Sequence, residues 1–475
     1  MLQIVKNLDA SGLEGKWKGF GLLACTISFS LALAAAFPLS ASGQAPGASA
    51  AAATSAGNQP IVITLRDAIR RAQANEPTYA AASAAGVSAE LDRSIARANL
   101  LPGVNYYNQA LYTQPNGLLN QAGQGVAPQP APRFIANNAV REYASQAMIN
   151  ETVGLGQLAA VRRADAAAAL AQAELEIARR GLVAAVTTLY YGSLAEDHKL
   201  AVAEQARKEA ADFTALTEKR EKGRYAAHAD VVKAQLSEQQ RDRELVDARV
   251  AAEKARLELG VLLFADPRTP YQLQPVDHVE PLAAKAEVEA DAARNNPELK
   301  SALAALQVSD ADVEAARAAY LPDLGLNVTY GIDAPQVAVN GPDGVRNLGY
   351  SAAVTLNIPV WDWLSTQHKV KQSEIRREAA RVALSATQRQ LIAQLEEAYS
   401  EAKAARDELA SLDQSVATAA ESLRLTRMRY SGGEATVLEV VDAENSYVMS
   451  ENAREDGRVR YEAARANLQT LTGMM

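Results

Sequence analysis

An internal duplication constrains this chain more than any other feature, because the second half of the sequence repeats landmarks of the first. At an offset of 220 residues, residues 75–102 match residues 295–322 through an Asn-x-Pro and an Ala-Arg-Ala-x-x-Leu-Pro. Further on, the offset falls to 209, where Asp230 meets Glu439. The first copy is therefore 11 residues longer, and we assign the excess to a loop around residues 113–133. The pattern predicts one structural unit built twice.

Each copy is predicted to begin with a helix. In the first copy, the Thr64 hydroxyl can cap the first turn together with Asp67, three residues later. We expect this helix to break at Pro77 and to end near Asn99, because a Leu-Pro follows it.

Alternating apolar and polar residues follow the opening helix and predict a β-hairpin in each copy. Alternation places successive side chains on opposite faces of a strand. In the second copy, Tyr350, Val354, Leu356 and Ile358 share one face. Strands of roughly 9–11 residues with one apolar face fit a tilted crossing of an outer membrane, so we expect these four side chains to face lipid. The predicted strands are residues 104–112, 134–150, 324–330 and 350–360.

Each hairpin is followed by a helical stretch that is too long for a compact domain. Residues 157–221 and 364–429 contain no proline. At 1.5 Å per residue, each stretch would reach about 100 Å. Because aromatic residues make up only 5% of the chain, we expect helices that pack through small side chains, as in coiled coils. A Gly-containing turn then returns the chain through a second helix, which ends near Leu263 or Leu471.

The first 43 residues are predicted to be a secretory signal peptide. Lys16 and Lys18 precede an apolar run, and small residues then lead into a Pro- and Ala-rich linker over residues 44–60. The alternative is a retained membrane anchor, which the Thr, Ser and Pro residues inside the run disfavour. Cys25 is the only cysteine and lies in a partial lipoprotein-like box, so lipidation stays open.

The exported part of the chain is predicted to be acidic and to consist of two repeats. Removing residues 1–43 would change the formal net charge from −8 to −9. An acidic chain is a poor candidate for binding nucleic acid, so no such partner is expected. We divide the chain into a first repeat over residues 61–264, a linker over 265–285 and a second repeat over 286–475.

Four strands are too few to close a barrel, and this predicts an oligomer. An open sheet edge in lipid would leave backbone groups without partners at a high free-energy cost. Three copies would supply twelve strands, enough for an open lumen. We therefore expect a mainly helical homotrimer with a membrane β-barrel part that contacts outer-membrane lipid. The alternative is a periplasmic coiled-coil adaptor or scaffold without a membrane barrel, which would leave the amphipathic hairpins unexplained.

Several short motifs follow one another in a fixed order over residues 60–475. They are Thr-Leu-Arg-Asp-Ala-Ile (64–69), the Asn-x-Pro and Leu-Pro of each copy, Leu-Asn-Ile-Pro-Val-Trp-Asp (356–362), Arg-Tyr-Ser-Gly-Gly (429–433) and Leu-Glu-Val-Val-Asp-Ala-Glu (438–444). In this order the chain resembles the TolC-like outer-membrane efflux protein family. The resemblance implies a trimeric barrel in the bacterial outer membrane, continued by a periplasmic α-helical barrel. It also implies a passive channel of a tripartite efflux or type I secretion system, whose partners are a periplasmic adaptor (membrane fusion protein) and an inner-membrane pump.

The turns near Gly223 and Gly433 are predicted to form the periplasmic tip, where the adaptor would dock. Each turn lies between the two helices of a hairpin, about 100 Å from the strands. Glu439 and Asp442 follow the second turn, three residues apart, so they project to nearly the same side of a helix. Threefold symmetry would turn each into a ring of carboxylates that attracts cations at a narrow entrance.

The family resemblance adds contacts at this tip. It implies that Glu439 and Asp442 belong to an acidic aperture, and that Tyr430 and the first-copy acid Asp230 belong to contacts that hold the tip closed. The chain departs from the family at Ala435, where the closing contacts can include an arginine.

No pattern indicates catalysis, a cofactor or a metal site. Gly154-x-Gly156-x-x-Ala159 has the spacing of a dinucleotide fingerprint, but the helix that follows is several times too long for a crossover. We therefore expect a bend between strand and helix there. The four histidines lack ligand spacing, and most carboxylates alternate with Lys and Arg, as on solvated helix faces. The sequence does not identify the transported compound.

Overall fold

The computed structural model describes residues 61–112, 141–275 and 280–473, and this part of the chain is mainly helical, as predicted. The predicted signal peptide, the linker after it and the loop around residues 113–133 lie outside these residues. The helices are α1 (Leu65–Asn75), α2 (Pro77–Ala98), α3 (Leu155–Lys222), α4 (His228–Leu263), α5 (Lys285–Asn295), α6 (Pro297–Ala318), α7 (Ser365–Gly432) and α8 (Val437–Thr472).

The second half of the chain repeats the helices of the first half in order and in length. The short helices α1 and α5 have 11 residues each, and α2 and α6 have 22 each. The long helices α3 and α7 have 68 residues each, and the returning helices α4 and α8 have 36 each. At 1.5 Å per residue, α3 and α7 each span about 100 Å. The two predicted long helical stretches are thus present, with ends within a few residues of the predicted ones.

Polar side chains hold the short helices in place. The predicted cap is present, because Thr64 Oγ1 accepts a hydrogen bond from Asp67 N at 3.1 Å. Asn75 Nδ2 donates to the carbonyl of Leu263 at 2.7 Å, at the end of α4. In the second copy, Asn296 Nδ2 donates to the carbonyl of Leu471 at 3.1 Å. The Asn side chains beside the two helix-breaking prolines therefore tie each short helix to the end of a returning helix.

Four of the six strands in the described part of the chain form one antiparallel sheet, and the two short strands pair separately. The strands are β1 (Ile61–Ile63), β2 (Gly103–Tyr112), β3 (Arg141–Val153), β4 (Tyr271–Leu273), β5 (Asp323–Ala334) and β6 (Leu348–Asn357). The sheet has the order β2–β3–β5–β6, so β2 and β6 are its edges. The four predicted strands are therefore present, although residues 134–140 of the second one lie outside the described residues.

The strand register shows where the two copies differ in length. Gly103 pairs with Asn150, and Asp323 pairs with Asn357, so the second strands of the hairpins correspond at an offset of 207. The long helices correspond at 210 and the returning helices at 209. The first hairpin loop is thus 13 residues longer, but the second copy has three extra residues before its long helix and one fewer in its tip turn. The sequence suggested that the whole difference of 11 residues lies in this loop. The structure distributes it instead over the loop, the chain before the long helix and the tip turn.

The register also gives the sheet one apolar and one polar face. Leu326 lies opposite Val354, and Tyr330 lies opposite Tyr350, on the apolar face. On the other face, the hydroxyl oxygens of Thr329 and Ser351 are 2.6 Å apart. Each face is continuous across the strands because residues directly opposite each other point to the same side of a sheet.

The long helices lie side by side in the order α4–α3–α8–α7. Nearer to the sheet, the short helices join them in the order α2–α3–α6–α7. The first-copy helices α2 and α4 therefore lie at one edge of the chain, where α2 leads into β2, while α7 lies at the other edge, where it follows β6.

A small core that the sequence did not predict lies where β1 pairs in parallel with β4. Tyr190 is fully buried there, and its hydroxyl donates to the carbonyls of Ile63 at 3.2 Å and Gln274 at 2.7 Å. Strand β4 lies inside the predicted linker over 265–285. The linker thus closes over α3 and returns to the start of the first repeat.

Candidate functional site

The two tip turns share an apolar core. Helix α3 leads into the first turn at Gly223, and α7 leads into the second at Gly433. The core joins all four hairpin helices through Phe213, Ala234, Tyr430, Val437 and Val440. Because these residues come from both hairpins, the core fixes one turn against the other.

Tyr430 is the centre of this core. Its side chain is buried, and its ring centroid is 4.9 Å from that of Phe213. The Tyr430 hydroxyl and Thr217 Oγ1 are 3.1 Å apart, within hydrogen-bond distance. Tyr430 therefore joins the second hairpin to the first within one chain.

Arg220 makes a second connection between the hairpins. Its guanidinium carbon is 4.7 Å from the centre of the Tyr430 ring. Its Nη1 donates to the carbonyl of Tyr430 and, at 3.4 Å, to the carbonyl of Ser431. These carbonyls belong to the last turn of α7, where the regular i,i+4 hydrogen bonds end and the helix dipole is negative. The Tyr430 carbonyl also accepts from Gly433 N at 3.0 Å. A cation from α3 thus caps a helix of the other hairpin.

The two turns use different residues to reverse the chain. In the second turn, Gly433 has a φ of +83°, a left-handed conformation that favours glycine. In the first turn, Gly223 has a φ of −79°, and the left-handed residue is Arg224, with a φ of +65°. Only the second turn therefore needs glycine for its backbone conformation.

Glu439 takes part in a capping box at the start of α8. Its Oε1 accepts from Thr436 N at 3.2 Å, while Thr436 Oγ1 accepts from Glu439 N at 3.3 Å. Its other oxygen lies 3.5 Å from Nη1 of Arg429. The Glu439 carboxylate is therefore already engaged by the turn that it follows.

Asp442 and Asp230 have freer carboxylates than Glu439. Asp442 is exposed on α8, one turn beyond the capping box, and Asp230 is half-buried in the first turn of α4. In the described part of the chain, neither carboxylate has a hydrogen bond or an ion pair. Within one chain the tip is thus held by Tyr430, Thr217 and Arg220, and Asp230 makes no contact with them.

The sequence interpretation of the carboxylates is wrong for one stripe of α8. The structure buries Glu444, Glu451, Glu455 and Glu462 instead of leaving them on a solvated face. Arg427 of α7 reaches Glu444 at 2.7 Å and also contacts Glu209 of α3. Burial raises the pKa of the Glu462 carboxyl above its usual value. Neighbouring helices cover this stripe, so spacing along α8 could not reveal the burial.

The apolar face of the sheet is open to the surroundings. Tyr350, Val354 and Leu356 are exposed on β6, and the Tyr350 side chain retains 82% of its accessible area. Ile358 is also exposed, but β6 ends at Asn357, so the predicted strand end at residue 360 is wrong in the single chain. The reason is that β5 begins at Asp323, opposite Asn357, and offers no partner beyond it.

Gly154 lies at a bend between β3 and α3, as expected. A Cβ atom at this position would come 1.9 Å from Oδ1 of Asp323, so the Asp323 side chain would have to move to make room for it. Among the residues that the structure describes, no three His, Cys, Asp or Glu side chains cluster in a way that could hold a metal ion.

Sequence comparisons match this architecture to known proteins. Residues 289–474, most of the second copy, match the outer membrane efflux protein family. The chain is 26% identical to outer membrane protein OprJ of Pseudomonas aeruginosa over 172 residues, which cover 36% of each chain. It is 25% identical to the alkaline protease secretion protein AprF of the same species over 183 residues, 38% of this chain and 37% of AprF.

The match to the outer membrane efflux protein family covers the second copy, less than half of the chain. The resemblance seen in the sequence is therefore confirmed, and the family is located in the outer membrane, as predicted. The sequence match spans little more than a third of the length of OprJ and of AprF (36% and 37%).

The fold of the chain is similar to that of a solved outer-membrane channel. The crystal structure of the Campylobacter jejuni CmeC outer membrane channel superposes with a TM-score of 0.70 at 14% identity, covering 86% of this chain and 85% of CmeC. In the described part of the chain, none of the helices has the length and apolar character needed to span a membrane.

Proposed function

We propose that this efflux protein is the outer-membrane channel subunit of a tripartite efflux or type I secretion system. It works as a passive exit duct and catalyses no reaction. The names of its relatives support this proposal, since CmeC is an outer membrane channel and AprF a secretion protein. Its partners are two further copies of itself, outer-membrane lipid, a periplasmic adaptor and an inner-membrane pump.

The observation that carries the proposal is a sheet with an apolar face, a polar face and two open edges. β2 and β6 each have a partner on one side only. An isolated four-stranded sheet with such edges is unstable in a membrane, because unpaired N–H and C=O groups have no water to bind there. Joining edges between copies removes this cost, and three copies give a barrel of twelve strands with a polar lumen.

The helices have matching open edges. Large apolar side chains are exposed on α2 and α4 at one edge of the chain and on α7 at the other: Val87, Leu91, Ile95, Val246 and Val250 on the first, Ile375, Val382 and Ile392 on the second. Contact between one edge of a copy and the opposite edge of the next is heterologous, and such contacts close into a ring. The long helices then form an α-helical barrel below the β-barrel.

The duplication predicts how neighbouring copies meet. Within one chain, β3 of the first copy pairs with β5 of the second, with Met148 opposite Thr329. If β6 pairs with β2 of the next chain in the equivalent register, Thr355 lies opposite Gln109 and Val354 opposite Ala110. This register keeps the mainly polar face on the lumen side and the mainly apolar face on the lipid side around the whole ring. Tyr350, Leu356 and Ile358 would then face lipid together with Val354.

The tip turns at Gly223 and Gly433 are the proposed docking site of the adaptor. They lie about 100 Å from the sheet, where a partner anchored in the inner membrane can reach them. Rings of Glu439 and Asp442 would form the acidic aperture at this end. Tyr430 supports a closed tip through its contact with the first hairpin, and Asp230 is free to contact a neighbouring copy.

The adaptor or scaffold alternative is less well supported. A soluble periplasmic coiled coil has no use for a sheet whose apolar face is open over four strands. The family match also favours a channel, since it covers the second copy with its hairpin and both long helices.

Cell fractionation and electrical recording test the channel proposal together. We expect a detergent-requiring protein in the outer membrane that migrates as a trimer on gels unless it is heated. The purified trimer should give discrete conductance steps in a planar lipid bilayer. A protein that is soluble in the periplasm and gives no conductance would contradict the proposal and favour the adaptor alternative.

A further inference from the structure

The chain between β6 and α7 contains an insertion that the first copy lacks. β3 is joined to α3 by Gly154 alone. In the strand register of the second copy, Val360 corresponds to Val153, and four residues, Trp-Asp-Trp-Leu, then precede α7. The three additional residues thus bring in Trp361 and Trp363. We refer to residues 358–364 as the aromatic segment.

The aromatic segment leaves its largest side chains mostly exposed in the chain. Val360, Trp361 and Trp363 retain 88%, 67% and 84% of their accessible areas. The two indole rings contact each other edge to face, with centroids 5.9 Å apart. Large aromatic side chains normally contribute to stability through burial, so this segment has another role than packing within one chain.

The backbone of the segment is fixed in a conformation that its residues do not favour. Trp363 and Leu364 have φ values of +56° and +65°. Glycine would adopt these angles without a steric cost, whereas large side chains do so at a cost in free energy. Asp362 holds the segment, because its Oδ2 accepts from Thr366 N at 2.7 Å at the start of α7. A Trp at a position whose backbone angles suit glycine indicates that its side chain has a functional role.

The position of the segment identifies its partner. Its residues Ile358 and Val360 continue the alternation of β6 beyond Leu356, and it ends where the polar first turns of α7 begin. Leu101 and Leu321, just before β2 and β5, are exposed at the same end of the sheet. A band of apolar side chains around the end of a membrane sheet marks the boundary between lipid and water. Trp side chains prefer this boundary, since their rings are apolar and their N–H groups can bind water and headgroups.

We propose that the aromatic segment is a membrane anchor that inserts Trp361 and Trp363 at headgroup level into the periplasmic leaflet of the outer membrane. This inference rests on the proposed channel function. The anchor sets the depth of the barrel in the lipid, and Asp362 connects it to the first turn of α7. Because only the second copy carries the insertion, a trimer would have three anchors.

Tryptophan fluorescence tests the anchor directly, because the chain has only three tryptophans and the third is Trp17. In a Trp17→Phe background, the purified trimer is reconstituted into phosphatidylcholine vesicles brominated either near the headgroup or near the chain ends. We expect a larger loss of emission with the shallow bromines than with the deep ones, and little additional quenching by iodide. Trp361→Phe and Trp363→Phe leave one reporter each and should give the same order.

A matched control uses a Trp-free chain with Gln372→Trp, an exposed position about 10 Å along α7. This reporter should not respond to either brominated lipid. Emission from the aromatic segment that is quenched by iodide but not by bromine would show exposure to water and overturn the anchor. Emission that resists both would show burial against a neighbouring copy, which also overturns it. Failure of the protein to float with vesicles would instead contradict the channel proposal.

Discussion

Single side chains at the tip connect helices that are far apart in sequence. Arg220 of α3 binds carbonyl groups at the end of α7 and lies over the Tyr430 ring. A basic residue at the end of a long helix is common, and its usual role is to stabilise its own helix. The partner of Arg220 lies 210 residues further along the chain, so no spacing rule could predict the contact.

Removing the Arg220 side chain should loosen the tip. Arg220→Ala loses a cation–π contact and hydrogen bonds to exposed carbonyls, together worth about 1–2 kcal/mol. We expect faster amide hydrogen exchange in the last turn of α7. Lys222→Ala is the control, because this exposed residue lies in the same turn and has no partner among the described residues. Equal exchange rates in the two variants would contradict a role of Arg220 in closing the tip.

A pair of adjacent residues on β6 tests which face meets lipid. Val354 lies on the apolar face and Thr355 on the polar one. A charged residue in the middle of a lipid face costs about 2–4 kcal/mol. Val354→Arg should therefore lower the fraction of trimer on unheated gels much more than Thr355→Arg. Equal tolerance of both substitutions would show that the assignment of the faces is wrong.

The buried glutamates of α8 mark a limit of prediction from sequence. Glu451 and Glu455 each have an arginine three residues further along α8, as solvated ion pairs on a helix surface do. Whether such a pair is covered depends on the neighbouring helix. By contrast, Thr64 and Asp67 were predictable, because a helix cap depends only on residues a few positions apart.

At the scale of elements, long periodic patterns were predictable and short ones were not. The helices α3 and α7 lie within a few residues of the predicted stretches, because proline-free sequence and bounding glycines mark their ends. β1 and β4 have three residues each, too few to show an alternation. β6 was predicted too long, because the alternation continues through Ile358 and Val360 while the partner strand has already ended.

The edges of the sheet give a prediction for the contact between copies. With Cys25→Ser, the chain contains no other cysteine. Gln109→Cys and Thr355→Cys in one chain should then form disulfides between copies, because directly opposite residues have Cβ atoms about 4.5–5.5 Å apart. Oxidised trimers should resist heating on non-reducing gels.

The control for this pair moves one cysteine to the other face. Gln109→Cys with Val354→Cys places the thiols on opposite sides of the sheet, so crosslinking should be much weaker. Efficient crosslinking of the control pair, or none of the first pair, would contradict the register that we derive from the duplication.

At the scale of the whole molecule, the proposed acidic aperture needs carboxylates from three copies of the chain. Asp442 has no partner in the described part of the chain, whereas Glu439 caps α8 and lies 3.5 Å from Arg429. Asp442→Asn should therefore lower the cation selectivity of the reconstituted channel more than Glu439→Gln, and the double variant most of all. The reversal potential in a salt gradient measures this selectivity.

Salt dependence separates an aperture from a distant charge. The effect of Asp442→Asn should fade at high salt, because the Debye length falls from about 10 Å at 0.1 M to about 3 Å at 1 M. Glu287→Gln on α5 is the control, an exposed carboxylate far from the tip. Unchanged selectivity of Asp442→Asn at low salt would rule out the acidic ring.

The proposed oligomer is the part of the architecture that the sequence could indicate only indirectly. Four strands with one apolar face require partners, and this follows from the pattern alone. Which edges meet depends on the packing order of the helices, which no local pattern contains. The order α4–α3–α8–α7 supplied this information, since it leaves elements of the first repeat at one edge and α7 at the other.

The equal lengths of the paired helices have a consequence for how such tubes change in evolution. The contact between Arg220 and Tyr430 exists because α3 and α7 both have 68 residues. An insertion of about two helical turns in α3 alone would carry its turn about 10 Å past the other and break this contact. The length of the proposed α-helical barrel can therefore change only if both hairpins change by the same amount. A family member with a longer or shorter tube must have changed at four places in its sequence together, once in each arm of both hairpins.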